Sequence, residues 1–486
     1  MSTVSRRSFI AGLSAVPFAV WFEKNGLAQP PRVRPNVMSA QGQAMLNIYS
    51  NAVKTMMSTP ERNPLGWLFQ WYTHGVRGDR TKASELARVY PTPSAQRTLA
   101  NQTWDTCQAH HPTDIEDFFL PWHRMYLLFF ERIIQSVSNN PSFALPYWDY
   151  TNASSPSGPR LPNRFINPAN TSNPLFRPNR RASVNAGNPI DQSSPGSLNL
   201  NSLAQCSYSR VGAVQGFNMN LDFNLHGTIH VLVGNSQGMG NVPWAANDPI
   251  FWLHHCNIDR LWASWNDAGR KNPNTAAWLN KQFTFANENG VRVVARVRDF
   301  RNIMPLRYRY EELAPVPACP PGATATGPPR VRARVATAVE LSSSPVRTTM
   351  AAPPSTAAGL QDLPTLVRNL GPNRRLFLVI RNLNAQAPPE TLFDVFLELP
   401  EGATGSAAES HKIGSIHFFD AVPHGGHGSA SANAEQKFFS FDITDLAKRL
   451  VGEGRFTATP TLTIAPADQV EATARPVVGE IQLIEQ

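Results

Sequence analysis

The sequence of 486 residues predicts a mainly α fold: a four-helix bundle with long irregular connections, followed by a small C-terminal β-sandwich. Three observations carry this. The run Phe118–Val137, FFLPWHRMYLLFFERIIQSV, is apolar or aromatic nearly all round, as a helix buried on every side must be. Residues 151–215 are rich in Pro, Asn and Ser and keep no period, the pattern of long connections. Beyond residue 374 the period falls to two: Phe393, Val395, Leu397 and Leu399 alternate with Asp394, Phe396 and Glu398.

Taken from the N-terminus, SRRSFIAGLSAVPFAVWF places Arg6 and Arg7 before a modest apolar run, which predicts a twin-arginine leader over 1–28 and a periplasmic or secreted protein. No later segment approaches the ~20 uninterrupted apolar residues of a membrane span, so stable membrane insertion is not expected. Residues 36–310 form the expected helical domain, with an aromatic-rich helix, LGWLFQWYTHG, reaching His74. Helical patterns return at 221–233 and at 248–266, the second with Asp248 at the N-cap and Pro249 at the first helical position. Residues 311–370, dense in Pro, Ala, Thr and Arg, predict a linker, and 371–486 a β domain whose late strand carries Leu462 and Ile464. The formal charge is +9, yet no dense Lys/Arg block is interleaved with aromatics, which argues against nucleic-acid binding. The four cysteines (Cys107, Cys206, Cys256 and Cys319) show no zinc-knuckle or disulfide-scaffold spacing.

The histidines point to the chemistry. His74, His110, His111 and His123 form one group, and His226, His230, His254 and His255 another. His226 and His230, four apart in LHGTIHVLVG, share one helix face. Imidazoles converging from such helices suit copper, zinc or iron. The HExxH pattern of zinc hydrolases is absent from the sequence, and few carboxylates lie nearby to complete the two-His, one-carboxylate set that iron oxygenases want. Three imidazoles plus three favour copper.

FLPWHRMYLLFFERI resembles the copper A helix of tyrosinases and plant polyphenol oxidases. HGTIHVLVG with NDPIFWLHHCNIDRLWASW resembles their copper B signature, and LPYWDY (145–150) the segment after copper A. LFDVFLELPEG and KIGSIHFFD resemble the plant enzymes' C-terminal β domain.

The resemblance implies a dinuclear type-3 centre of two copper ions that oxidises o-diphenols to o-quinones with molecular oxygen, monophenol hydroxylation being a further activity of some relatives. A haemocyanin-like oxygen carrier is the rival reading. The implied ligands are His74, His110 and His123 for copper A, with His111 the alternative to His110, and His226, His230 and His255 for copper B. His254 resembles the family's outer-sphere neighbour of the last ligand. Cys107 is placed for the thioether that many relatives make to the second copper A ligand, and Arg124 and Asp259 for a brace between the copper helices. Where hydroxylating relatives hold a water with Asn and Glu, this sequence has Gly227 and Asp222; Val242 matches by count the residue that gates the cavity. The C-terminal domain is expected to cover the site, making the chain latent until it is cut within 314–356. His424 and His427, in PHGGHG, read as a glycine-rich surface turn.

Overall fold

The structure, a computed structural model, describes residues 16–17, 30–108, 118–152, 158–319, 328–353, 362–419, 421–422 and 438–486. The bulk of the expected leader, together with His110, His111, His424 and His427, lies outside the described residues.

Five helical segments frame the site: α1 (Ala40–Ser58), α2 (Trp67–His74), α3 (Phe119–Val137), α4 (Gly227–Val233) and α5 (Ile250–Asp267). Ser39 starts α1 by accepting the Gly42 N–H on its hydroxyl. α3 is buried continuously from Phe119 to Ile134 and α5 from Ile250 to Trp265, as their all-round apolar pattern requires. α5 opens one residue later than the sequence suggests, with Pro249 at the cap. The Asp248 carboxylate accepts the Ile250 N–H at 3.1 Å while pairing with Arg180 at 2.7 and 2.8 Å. The expected helix over 221–233 is broken into a short helix Phe217–Leu221, a π-turn Asp222–His226 and α4. Such one-turn insertions recur at functional sites.

Arg124 and Asp259 do brace α3 against α5, Nε to Oδ1 at 2.5 Å, both buried. They belong to a larger cluster. Strand β1 (Arg32–Arg34) pairs in parallel with β2 (Tyr308–Tyr310), bringing Arg34 to Glu131 at 2.8 Å and to Asp259 at 3.2 Å. The Tyr308 and Tyr310 hydroxyls donate to Asp259 at 2.6 and 2.5 Å. The two ends of the helical domain are thus tied to its centre.

The C-terminal domain is two packed sheets. One runs β8 (Lys412–Ile416), β7 (Phe393–Leu397), β10 (Thr461–Pro466), β5 (Val346–Thr349). The other runs β9 (Phe438–Asp442), β6 (Leu376–Asn384), β11 (Val477–Glu485), β3 (Arg330–Arg334), with β4 (Val339–Glu340) also on β11. Val395 and Ile464 from the first sheet share a core with Leu378, Ile380 and Leu483 from the second. The expected linker over 311–370 is therefore wrong in its middle: β3, β4 and β5 all fall there, and Ala333, Val339 and Met350 enter that core. Short strands beside prolines carry too little period to be seen in sequence. The cysteine reading also needs correction, because Cys206 and Cys319 form a disulfide across 113 residues. A pair that distant leaves no local spacing to read.

Candidate metal centre

The copper B residues come from the π-turn, α4 and α5. The Nε2 atoms of His226 and His230 approach to 3.0 Å. His226 Nδ1 faces the Asp222 carbonyl at 3.1 Å and its carboxylate at 2.9 Å, and His230 Nδ1 donates to the Met239 carbonyl at 2.8 Å. A donor held at Nδ1 fixes the tautomer and leaves the Nε2 lone pair for a metal. Donor atoms of His226, His230, His254 and His255 all lie within 4.8 Å of one another.

On the other side, His74 closes α2 and His123 stands on α3, its Nδ1–H donating to the Phe119 carbonyl at 2.8 Å. His74, Cys107 and His123 form a second group within the same 4.8 Å limit, with Cys107 Sγ 3.6 Å from His123 Nε2. The two groups adjoin: the His123 and His255 rings stack with centroids 4.2 Å apart.

Do these residues suit copper? His255 is 1% exposed, and neither ring nitrogen has a hydrogen-bond partner. Leaving such a group unsatisfied costs roughly 1–3 kcal/mol, which a bound metal would remove. Burial first, and neighbouring imidazoles second, hold His254 and His255 well below the usual imidazole range, so both are neutral, as ligation requires. The donor set fits.

Three contacts extend the sequence reading. His254 sits inside the copper B cluster, with the Tyr150 hydroxyl 2.9 Å from its Nδ1. Asp222 engages His226 directly. Phe419, from the segment after β8, stacks on His230 with centroids 4.4 Å apart and planes 12° off parallel. Gly227 opens α4, and Val242 is buried in a short helix whose Pro243 backs onto Gly75, next to His74.

Residues 67–204 and 179–268 match the common central domain of tyrosinase, residues 273–319 the polyphenol oxidase middle domain, and residues 331–486 a domain of unknown function. A tyrosinase of Hahella sp. (strain CCB-MM4) is 30% identical over 451 residues, covering 86% of this chain and 91% of that protein. A chloroplastic polyphenol oxidase of Vitis vinifera is 29% identical over 333 residues, 60% of this chain and 52% of the plant protein. In fold, the chain is similar to latent apple tyrosinase (TM-score 0.61, 20% identity, covering 95% and 98% of the two chains). It is less so to an octopus haemocyanin functional unit (TM-score 0.50, 17% identity, covering 92% and 99%). The chain belongs to the tyrosinase family of copper oxidoreductases. Within it, the chain is a type-3 copper phenol oxidase that carries a C-terminal β domain.

Proposed function

We propose that the chain oxidises o-diphenols to o-quinones with O2 at two coppers, one on His74, His110 and His123, the other on His226, His230 and His255. One observation carries this reading: two adjoining sets of buried donors, with His226 and His230 Nε2 converging and His255 making no hydrogen bond of its own. When bound, the metal pair supplies the electron exchange through which two catechols and one O2 become two quinones and two waters. The protein's part is to keep the imidazoles neutral, oriented and dry. The carbonyls of Phe119 and Met239 and the Asp222 carboxylate fix ring orientation, and aromatic side chains such as Phe251, 4.1 Å from the His255 ring, exclude water.

Asp222 engages His226 through Oδ1, and Gly227 has no side chain to share in holding a water for deprotonating a monophenol. Diphenol oxidation is therefore the main activity, with monophenol hydroxylation weak. Val242 serves as the cavity gate, and Cys107 forms the thioether to His110. A peptide joining the two, lighter by two hydrogens, is expected on mass analysis. The chain leaves the cytoplasm by the twin-arginine route. The Cys206–Cys319 disulfide supports that, since such bonds persist in oxidising compartments.

Phe419 on His230 supports latency: in the closed chain a ring lies where a substrate ring would need to approach the copper B histidines. The test is oxygen uptake by copper-loaded protein given a simple catechol, before and after removal of the C-terminal domain. Rapid uptake with quinone formation only after cleavage is expected. Reversible oxygen binding by two coppers without turnover would favour a carrier instead.

A further inference from the structure

The π-turn faces two ways. Towards the metal site it presents Asp222 and His226. Away from it, the Phe223 side chain and Met219 are buried in the core of the C-terminal domain, Phe223 packing edge-on against Phe439 at 6.2 Å. The Phe223 carbonyl accepts a hydrogen bond from His417 Nε2–H at 2.6 Å, and the His417 ring packs perpendicular to Phe439 at 5.3 Å. His417 is 3% exposed and sits directly over Gly227: a Cβ there would fall inside the van der Waals envelope of His417 Cε1 and Nε2. Gly227 has φ of −62°, an ordinary helical value, so no backbone demand accounts for the glycine. Space does.

We infer that Gly227 and His417 form a keyed seat between the domains: the missing side chain makes the socket, the imidazole fills it, and its N–H holds the turn carrying Asp222 and His226. This rests on the reading of the C-terminal domain as a cover and goes further. It makes closure of that domain and the shape of the copper B turn a single equilibrium, each favouring the other to the same degree. It also assigns residue 227 to closure, so a side chain there meets the cover before it meets a substrate.

The experiment uses the full, uncleaved chain, copper-loaded and metal-free, as Gly227→Ala, His417→Ala and the double variant. The readouts are amide hydrogen exchange over residues 412–419 and catechol turnover. Gly227→Ala should speed exchange there by at least about tenfold and raise turnover, the scale of losing one well-made buried contact. His417→Ala vacates the socket, so the double variant should close again and exchange within a few-fold of His417→Ala alone. Equal exchange in Gly227→Ala and the parent, or effects that simply add in the double variant, would overturn the inference. So would failure of the double variant to fold. If Gly227→Ala alone fails to fold, rescue by His417→Ala still decides. Exchange that follows the keyed pattern with flat turnover would keep the seat and sink the cover. Flat exchange with activation on cleavage would do the reverse.

Discussion

Phe419 shows what a single side chain does here. Its face lies on the His230 ring with no polar atom of its own, so it shields the cluster without competing for metal. Phe419→Ala should raise catechol turnover of the uncleaved chain by roughly 2–10-fold, the equivalent of a stacking contact of about 0.5–1.5 kcal/mol, while copper content stays at two per chain. Unchanged turnover would remove Phe419 from the closing device. The sequence revealed the histidines on α3, α4 and α5 because spacing and helical burial are local properties. It did not reveal Phe419, Tyr150 or His417 because each meets its partner across more than a hundred residues: Tyr150 and His254 are separated by 104 positions, and His417 and Phe223 by 194. Asp222 was noticed by its count before His226, not for its contact with that ring. Its shortness relative to Glu suits it to reach back to His226 from within a π-turn, a geometry that no period announces.

Among elements, the contact between α3 and α5 holds a buried ion pair at its centre. Burial pushes the Asp259 carboxyl up, but Arg124 and Arg34 outweigh it and hold it below the usual carboxylate range. The contribution is thus present above the unfolded value, about 3.9, and lost as pH falls through the lower folded value. Asp259→Asn should flatten the acid limb of the stability curve below about pH 4. It should also lower stability at neutral pH by about 3–5 kcal/mol, because the buried Arg124 loses its carboxylate and the buried Arg34 keeps only Glu131; denaturant unfolding across pH checks both. The disulfide pins the segment ending at Cys319 to the loop at Cys206. Cys319→Ser should cost about 2–5 kcal/mol, seen as a lower melting temperature that reducing agent does not lower further. Helices with continuous burial were legible as elements. The strands β3, β4 and β5 were not, since two to five residues among prolines hold too short a record of alternation.

For the whole molecule, the position of these strands changes where activation should occur. A cut within 330–349 falls in strands already hydrogen-bonded into the two sheets, whereas a cut between Cys319 and β3 separates a complete C-terminal domain from a complete core. Limited proteolysis should therefore activate most when mass analysis maps cleavage to 320–327. Equal activation from cuts inside β3 or β5 would contradict this. The same arrangement has a consequence in time. All the candidate ligands lie before residue 256, the Arg34–Asp259 clasp closes with β2, and everything that shuts the site follows residue 319. A ribosome adding about 5–20 residues per second needs roughly ten to thirty seconds to make that remainder. In the order of synthesis, the residues proposed to hold metal are thus made before the domain proposed to cover them.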